Sequence, residues 1–234
     1  MLEVHKLHAH YGKSHILHGV DFAMEPGGIV SLLGRNGSGR STTMKAIMGL
    51  VPPTEGRILL EGEDLTGRRP YTICRAGIGY VPEERLVFPN LTVEENLRMG
   101  VQPPHEGVPV WTLEDMFGYF PRLKERLAQR AGNMSGGEQQ MLTMCRTLMG
   151  NPKIILIDEP TEGLAPKIVE VVMEMILDIQ RRGVGVILVE QKLTIALKVA
   201  QKVLVMGHGE IVFDGTPDAL RENPEIRRAW LEVS

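Results

Sequence analysis

The chain has 234 residues, a formal net charge of −3 and two cysteines, Cys74 and Cys145. That length fills one large domain without covalent staples, and the near-neutral charge excludes the basic footprint of a nucleic-acid binder. Two scattered thiols exclude a disulfide framework and fit a reducing cytosol, and no run approaches the roughly 20 apolar residues of a membrane-spanning helix.

Leu2 to Ala9 alternate polar and apolar residues with no apolar h-region, which argues against a signal peptide. Val20 to Met24 and Ile29 to Leu33 flank the turn Pro26-Gly27-Gly28, and Arg57 to Leu60 with Gly62 reads as a further strand and turn. The early part is expected to be an antiparallel layer wrapped round the first strand that leads to a phosphate loop. Ile78 to Val81, Ile154 to Ile157, Val184 to Val189 and Val203 to Met206 are apolar enough to be buried on both faces, and are the expected central strands. Strand runs alternating with amphipathic helices predict an α/β domain with a mostly parallel sheet. Between Pro89 and Gly150 helix signals dominate: Thr92 to Glu95 has capping-box spacing, and Phe117, Phe120, Leu123 and Leu127 recur at helical intervals. Pro103 to Pro109 is expected to be an exposed loop, and a helical subdomain is expected over about 85–145 of one domain spanning 1–234.

Gly34-Arg35-Asn36-Gly37-Ser38-Gly39-Arg40-Ser41-Thr42 follows a strand and opens a helix expected over Thr42 to Gly49. That is the context of a phosphate loop, in which glycines let successive N–H groups curl round phosphates and the helix adds its positive end. Ser41 offers a hydroxyl to Mg²⁺. Arg40 stands where the pattern has lysine, and a planar fork need not thread the loop as an ammonium does. The loop implies ATP, with binding expected to survive the substitution better than hydrolysis.

Ser135, Gly136, Gly137 and Glu138 open a second helix. Ser135 and Glu138 have capping-box spacing, and Met141, Leu142, Cys145, Leu148 and Met149 form an apolar stripe. A cap alone does not require two glycines, which cost about 1 kcal/mol each against alanine. Bare N–H groups at a positive helix end suit a phosphate arriving from outside. Downstream, Ile154 to Ile157 places Asp158 and Glu159 at the carboxyl end of a buried strand. Asp158 suits Mg²⁺ and Glu159 suits polarising an attacking water.

This order of motifs resembles the P-loop ATPase subunit of ABC transporters over nearly the whole chain. Within that superfamily it looks like the smaller ATPase of branched-chain (hydrophobic) amino-acid importers. The residues that carry this are Tyr11-Gly12, Val81-Pro82-Glu83, Phe88-Pro89 with Leu91 to Leu97, Phe120 to Leu123, Met134 to Leu142, Glu159-Pro160, Gly163 to Pro166 and Leu188 to Gln191. The resemblance implies that Tyr11 stacks on adenine, that Glu83 occupies the Q-loop position and takes part at the metal, and that Gln191 occupies the place of the switch histidine. It also implies a second ABC ATPase subunit, two membrane-spanning permease subunits gripped near Glu83 to Asn96, and a solute-binding protein reached indirectly. The location implied is the cytoplasmic face of the cell membrane, as a peripheral subunit.

In the resembled assembly each ATP lies between one subunit's phosphate loop and the other's signature helix. The site on this chain's own loop holds three departures, Arg40, Glu83 and Gln191, whereas its signature keeps to pattern. The expectation is a heterodimer in which this site turns over slowly and the partner's faster. The alternatives are a nucleotide-gated subunit without useful turnover, an importer ATPase for urea or amides, and a soluble ABC ATPase acting on ribosomes or DNA. His5, His8 and His10 cluster near the start, without companion carboxylates or thiols, and are expected to lie on a solvated strand face.

Overall fold

The computed structural model describes residues 1–232. Strands β1 (Leu2–Tyr11) and β2 (Ser14–Met24) form a hairpin, followed by β3 (Ile29–Gly34) and helix α1 (Arg40–Ile47). Next come β4 (Pro53–Leu60), β5 (Glu63–Asp64), α2 (Pro70–Ala76) and β6 (Ile78–Val81). A helical stretch follows: α3 (Val93–Gly100), α4 (Leu113–Tyr119), α5 (Pro121–Glu125) and α6 (Gly136–Leu148). The chain continues with β7 (Ile154–Asp158), α7 (Pro166–Arg181), β8 (Gly185–Val189), α8 (Leu193–Val199), β9 (Lys202–Gly207), β10 (Glu210–Gly215), α9 (Pro217–Arg221) and α10 (Pro224–Trp230).

Among the described residues the strands form two sheets. One is antiparallel, in the order β2-β1-β4-β5; the other runs β10-β9-β3-β8-β7-β6 and is parallel except for the β10–β9 pair. β1 turns Leu2, Val4, Leu7 and Ala9 inward, the alternation of a sheet with one wet face. β7 and β8 are buried throughout, and their side chains divide between two cores. Leu156, Ile187 and Val189 join the core under the antiparallel sheet and α1; Ile155, Ile157, Val186 and Leu188 join the core under α6 and α7. Each fully buried aliphatic side chain contributes roughly 1.5–3 kcal/mol, which fixes this three-layer stack and hence the positions of the strand ends.

The α/β class, the mostly parallel sheet and the antiparallel layer are as expected, and four details differ. β2 and β3 do not pair across Pro26-Gly27-Gly28 but enter different sheets, because β3 is buried on both faces and β2 on one. Ile78 to Val81 lies at the edge of its sheet rather than the centre. The helix after the phosphate loop spans Arg40–Ile47, two residues earlier than expected at each end, since Gly49 has φ +68 and closes the turn. The Phe117 to Leu127 stretch breaks between α4 and α5 at Phe120–Pro121, where proline disfavours helical backbone in the residue before it. The capping boxes at Thr92–Glu95 and Ser135–Glu138 are both formed.

Candidate functional site

The parallel register delivers four strand ends to one place. β3 ends in the phosphate loop, β8 leads to Gln191, β7 ends at Asp158 and Glu159, and β6 leads to Glu83. Ligands of open α/β sheets sit at this carboxyl edge. Here it holds a cleft of about 280 Å³ lined by Asn36, Gly37, Gly39, Arg40, Ser41, Thr42, Glu83, Glu159 and Gln191.

Two glycines make the loop possible. A Cβ at Gly34 would lie 2.6 Å from both Met206 O and Ser38 Oγ, and Gly39 caps α1 with φ 106, where any side chain is strained. No side chain caps α1, so the N–H groups of its first turn stay available. Ser38 Oγ and Arg40 Nη1 are buried donors without a partner in the protein, which a bound phosphate would satisfy.

Arg40 does not lie free along the loop. Its Nη2 donates to Glu159 Oε1 and to Asn36 Oδ1, each at 3.1 Å. Gln191 Nε2 donates to the other oxygen of Glu159 at 2.6 Å. Both carboxylate oxygens of Glu159 therefore face donors, and its backbone is held at φ 47, a costly value for a residue with a Cβ. Burial pushes the Glu159 carboxyl above the usual glutamate value, with Arg40 pulling the other way.

Asp158 accepts from Ser41 Oγ at 3.2 Å and from the Tyr80 hydroxyl at 3.5 Å. Burial raises its pKa, and the Ser41 hydrogen bond offsets part of the shift. Ser41 and Asp158 thus form a hard-oxygen pair suited to a small dication. Carboxylate oxygens of Glu83, Glu159 and Glu162 lie within 4.8 Å of one another. Glu162, whose role is not evident in the sequence, belongs to this acidic rim. Tyr11 is 49% exposed at the end of β1, and its ring does not line the cleft.

Ser135, Gly137 and Glu138 line a different cleft, beside Phe120, Arg122 and Ala165. Ser135 Oγ accepts from the N–H of Glu138, and Glu138 Oε2 accepts from the N–H of Ser135 at 3.0 Å. Arg126 lies 3.5 Å from the Glu138 carboxylate. The expected site residues therefore fall into two groups on separate surfaces of one chain. Arg85 connects them and is not evident from the sequence. Its Nη2 donates to Glu162 O at 2.9 Å, and the guanidinium lies over Gly136, where an added Cβ would strike Nη1. Arg85 lies 77 residues before Glu162 in the chain, so no local spacing signals the contact, and its backbone has φ 51.

A family model described as "ABC transporter" matches residues 17–162. Over 231 residues and 99% of both chains, the sequence is 46% identical to the high-affinity branched-chain amino acid transport ATP-binding protein BraG of Pseudomonas aeruginosa. It is 34% identical to a probable branched-chain amino acid transport ATP-binding protein, LivF, of Archaeoglobus fulgidus, covering 100% of this chain and 99% of that one. A solved ATP-binding cassette of an ABC transporter in its ADP conformation superposes with a TM-score of 0.81 at 26% identity, covering 97% of each chain.

Proposed function

The chain belongs to the ABC transporter family of ATP-binding subunits, and from that premise we propose that it powers an importer for branched-chain amino acids or a related small polar solute. The names of its relatives support the solute class. The observation that carries the mechanism is the separation of the phosphate-loop cleft from the surface holding Ser135, Gly137 and Glu138. A nucleotide held by one chain's loop is then completed by another chain's helix start.

In this reading Gly34, Asn36, Gly37, Ser38, Gly39, Arg40, Ser41 and Thr42 hold the phosphates of ATP, and the exposed ring of Tyr11 takes the adenine. Ser41 and Asp158, with Glu83 across the cleft, would hold Mg²⁺, which when bound neutralises charge on the phosphates. Glu159 polarises the attacking water, and Gln191 orients Glu159. Ser135, Gly136, Gly137 and Glu138 complete the site of a second ABC ATPase subunit in a heterodimer.

The Arg40–Glu159 pair favours a finer version, in which this chain's own site binds nucleotide and hydrolyses it slowly. Both Glu159 oxygens already accept hydrogen bonds, from Arg40 and from Gln191, so the carboxylate must give up one of these partners before it can hold the attacking water. Closure of the two ATPases on nucleotide would drive the membrane subunits, since a ligand shifts an equilibrium by its differential affinity for the two states. Those subunits would seat in the apolar cleft bordered by Leu86, Phe88 and Met99, with the helical stretch at about 85–145 as a subdomain presenting it. No helix of the described residues is long and apolar enough to cross a membrane, so attachment at the cytoplasmic face would come through that contact.

The test is co-purification from membranes with and without MgATP, combined with turnover of the assembled and isolated chains. The reading requires a second ATPase subunit and permease subunits in the complex, and turnover that depends on assembly. Full-rate hydrolysis by the monomeric chain would refute it.

A further inference from the structure

Four of the chain's seven histidines meet on the outer face of the antiparallel sheet. In the β1–β2 ladder His8 stands opposite His18, and His10 stands opposite His15. His8 and His10 are two residues apart and share a face by strand periodicity. His15 and His18 are three apart and would normally face opposite sides. The register shift between Ala9 and His10 absorbs the extra residue and brings both rings to the same side.

The rings touch in sequence: centroid separations are 5.2 Å for His8–His15, 4.0 Å for His10–His15 and 3.9 Å for His15–His18. His8 Nδ1 lies 3.1 Å from His15 Nε2. Two imidazole nitrogens bound to one tetrahedral ion at about 2.0–2.1 Å stand about 3.3 Å apart. The His8–His15 hydrogen bond thus already has the spacing of a chelating pair. On the neighbouring strand Glu55 of β4 stands opposite His8 in the ladder. His10 Nδ1 is occupied by Thr54 Oγ1 at 3.1 Å, which leaves its Nε2 for another partner.

We propose that His8 and His15, joined by His10 or His18, form a site for a borderline transition-metal dication such as Zn²⁺ or Ni²⁺. Imidazole selects such ions over Mg²⁺, which prefers oxygen. His10 stacks on His15 while the other two ring pairs are tilted, so the third nitrogen arrives by side-chain rotation at the surface, where His15 and His18 are exposed. None of the four residues lines the nucleotide cleft. The block nevertheless adjoins it in sequence and bonding: Tyr11 follows His10, and His18 N–H donates to Gly209 O while Gly209 N–H donates to Ser38 O of the phosphate loop. A bound ion would staple β1 to β2 beside the adenine-stacking position.

The experiment is calorimetric titration of the full chain with ZnCl₂ and NiCl₂, with Co²⁺ absorption as a spectroscopic readout of nitrogen ligation. The parent should bind one equivalent and show a metal-dependent rise in Tm. His8→Ala and His15→Ala should each weaken binding roughly tenfold or more, while His5→Ala and Glu162→Gln leave it unchanged. Absence of one-equivalent binding, undiminished binding in the His8→Ala/His15→Ala double variant, or loss on Glu162→Gln would each overturn the proposal; the last would move the ion to the acidic rim.

Discussion

Arg40 Nη2 lies 3.1 Å from Glu159 Oε1, and the two side chains are only 5% and 6% exposed. The pair joins the residue that departs from the phosphate-loop pattern to the residue best placed to activate water. A buried charge that loses its partner costs several kcal/mol, so the two are linked in stability as well as in chemistry.

Replacing Glu159 by glutamine keeps an acceptor for Arg40 but removes the carboxylate. Hydrolysis at this chain's own site should fall by about 10²–10⁴, the usual contribution of a positioned base. Equilibrium binding of ATP should persist, because Arg40 is released from a competing anion. Loss of binding together with hydrolysis would assign Glu159 to structure.

Gly136→Ala separates helix stability from phosphate contact. Alanine gains up to about 1 kcal/mol of helix propensity, and the new Cβ meets the movable end of Arg85 rather than backbone. Thermal stability should hold or rise, while turnover at the partner subunit's site falls. Ser135→Ala, by contrast, should lower both, with the lost cap worth about 1 kcal/mol. Unchanged turnover in both variants would leave this helix start as a cap and nothing more.

Asp158 supplies a pH dependence with a definite sign. Its carboxyl titrates above the usual aspartate value because it is buried. The folded chain then binds a proton more tightly than the unfolded chain, so stability falls as pH rises from the ordinary aspartate range through the folded value. Asp158→Asn removes that effect. Without nucleotide, the variant's Tm should exceed the parent's at neutral pH and approach it towards about pH 4. Parallel Tm curves at all pH values would contradict the assignment.

The cleft of about 400 Å³ beside β6 carries Leu86, Phe88 and Met99 at 58%, 46% and 60% exposure. Leu86→Glu with Met99→Glu should abolish co-purification with permease subunits while changing the chain's own stability by less than about 0.5 kcal/mol per site. Retained co-purification would place the membrane partner elsewhere.

Features built from neighbouring residues are plain in the sequence. The Ser135–Glu138 and Thr92–Glu95 capping boxes depend on three-residue spacing, and Asp158 and Glu159 follow a run apolar enough to declare a buried strand. Features built by strand order are not. Ile78 to Val81 is as apolar as a central strand yet lies at the edge, because position in a sheet is decided by distant partners. Likewise, Arg40 and Glu159 are far apart in the chain, and their pairing exists only because β3 and β7 flank β8. The histidine block shows both limits at once: His8 and His10 share a face by periodicity, but His15 and His18 join them through a register shift that no pattern announces.

The central prediction is that Arg40 restrains hydrolysis at this chain's own phosphate loop. Single-turnover hydrolysis in the assembled transporter, measured for the parent and for Arg40→Lys, decides it. A compact ammonium would release Glu159 and raise the rate roughly tenfold, about 1.4 kcal/mol in the barrier. Equal rates would contradict it.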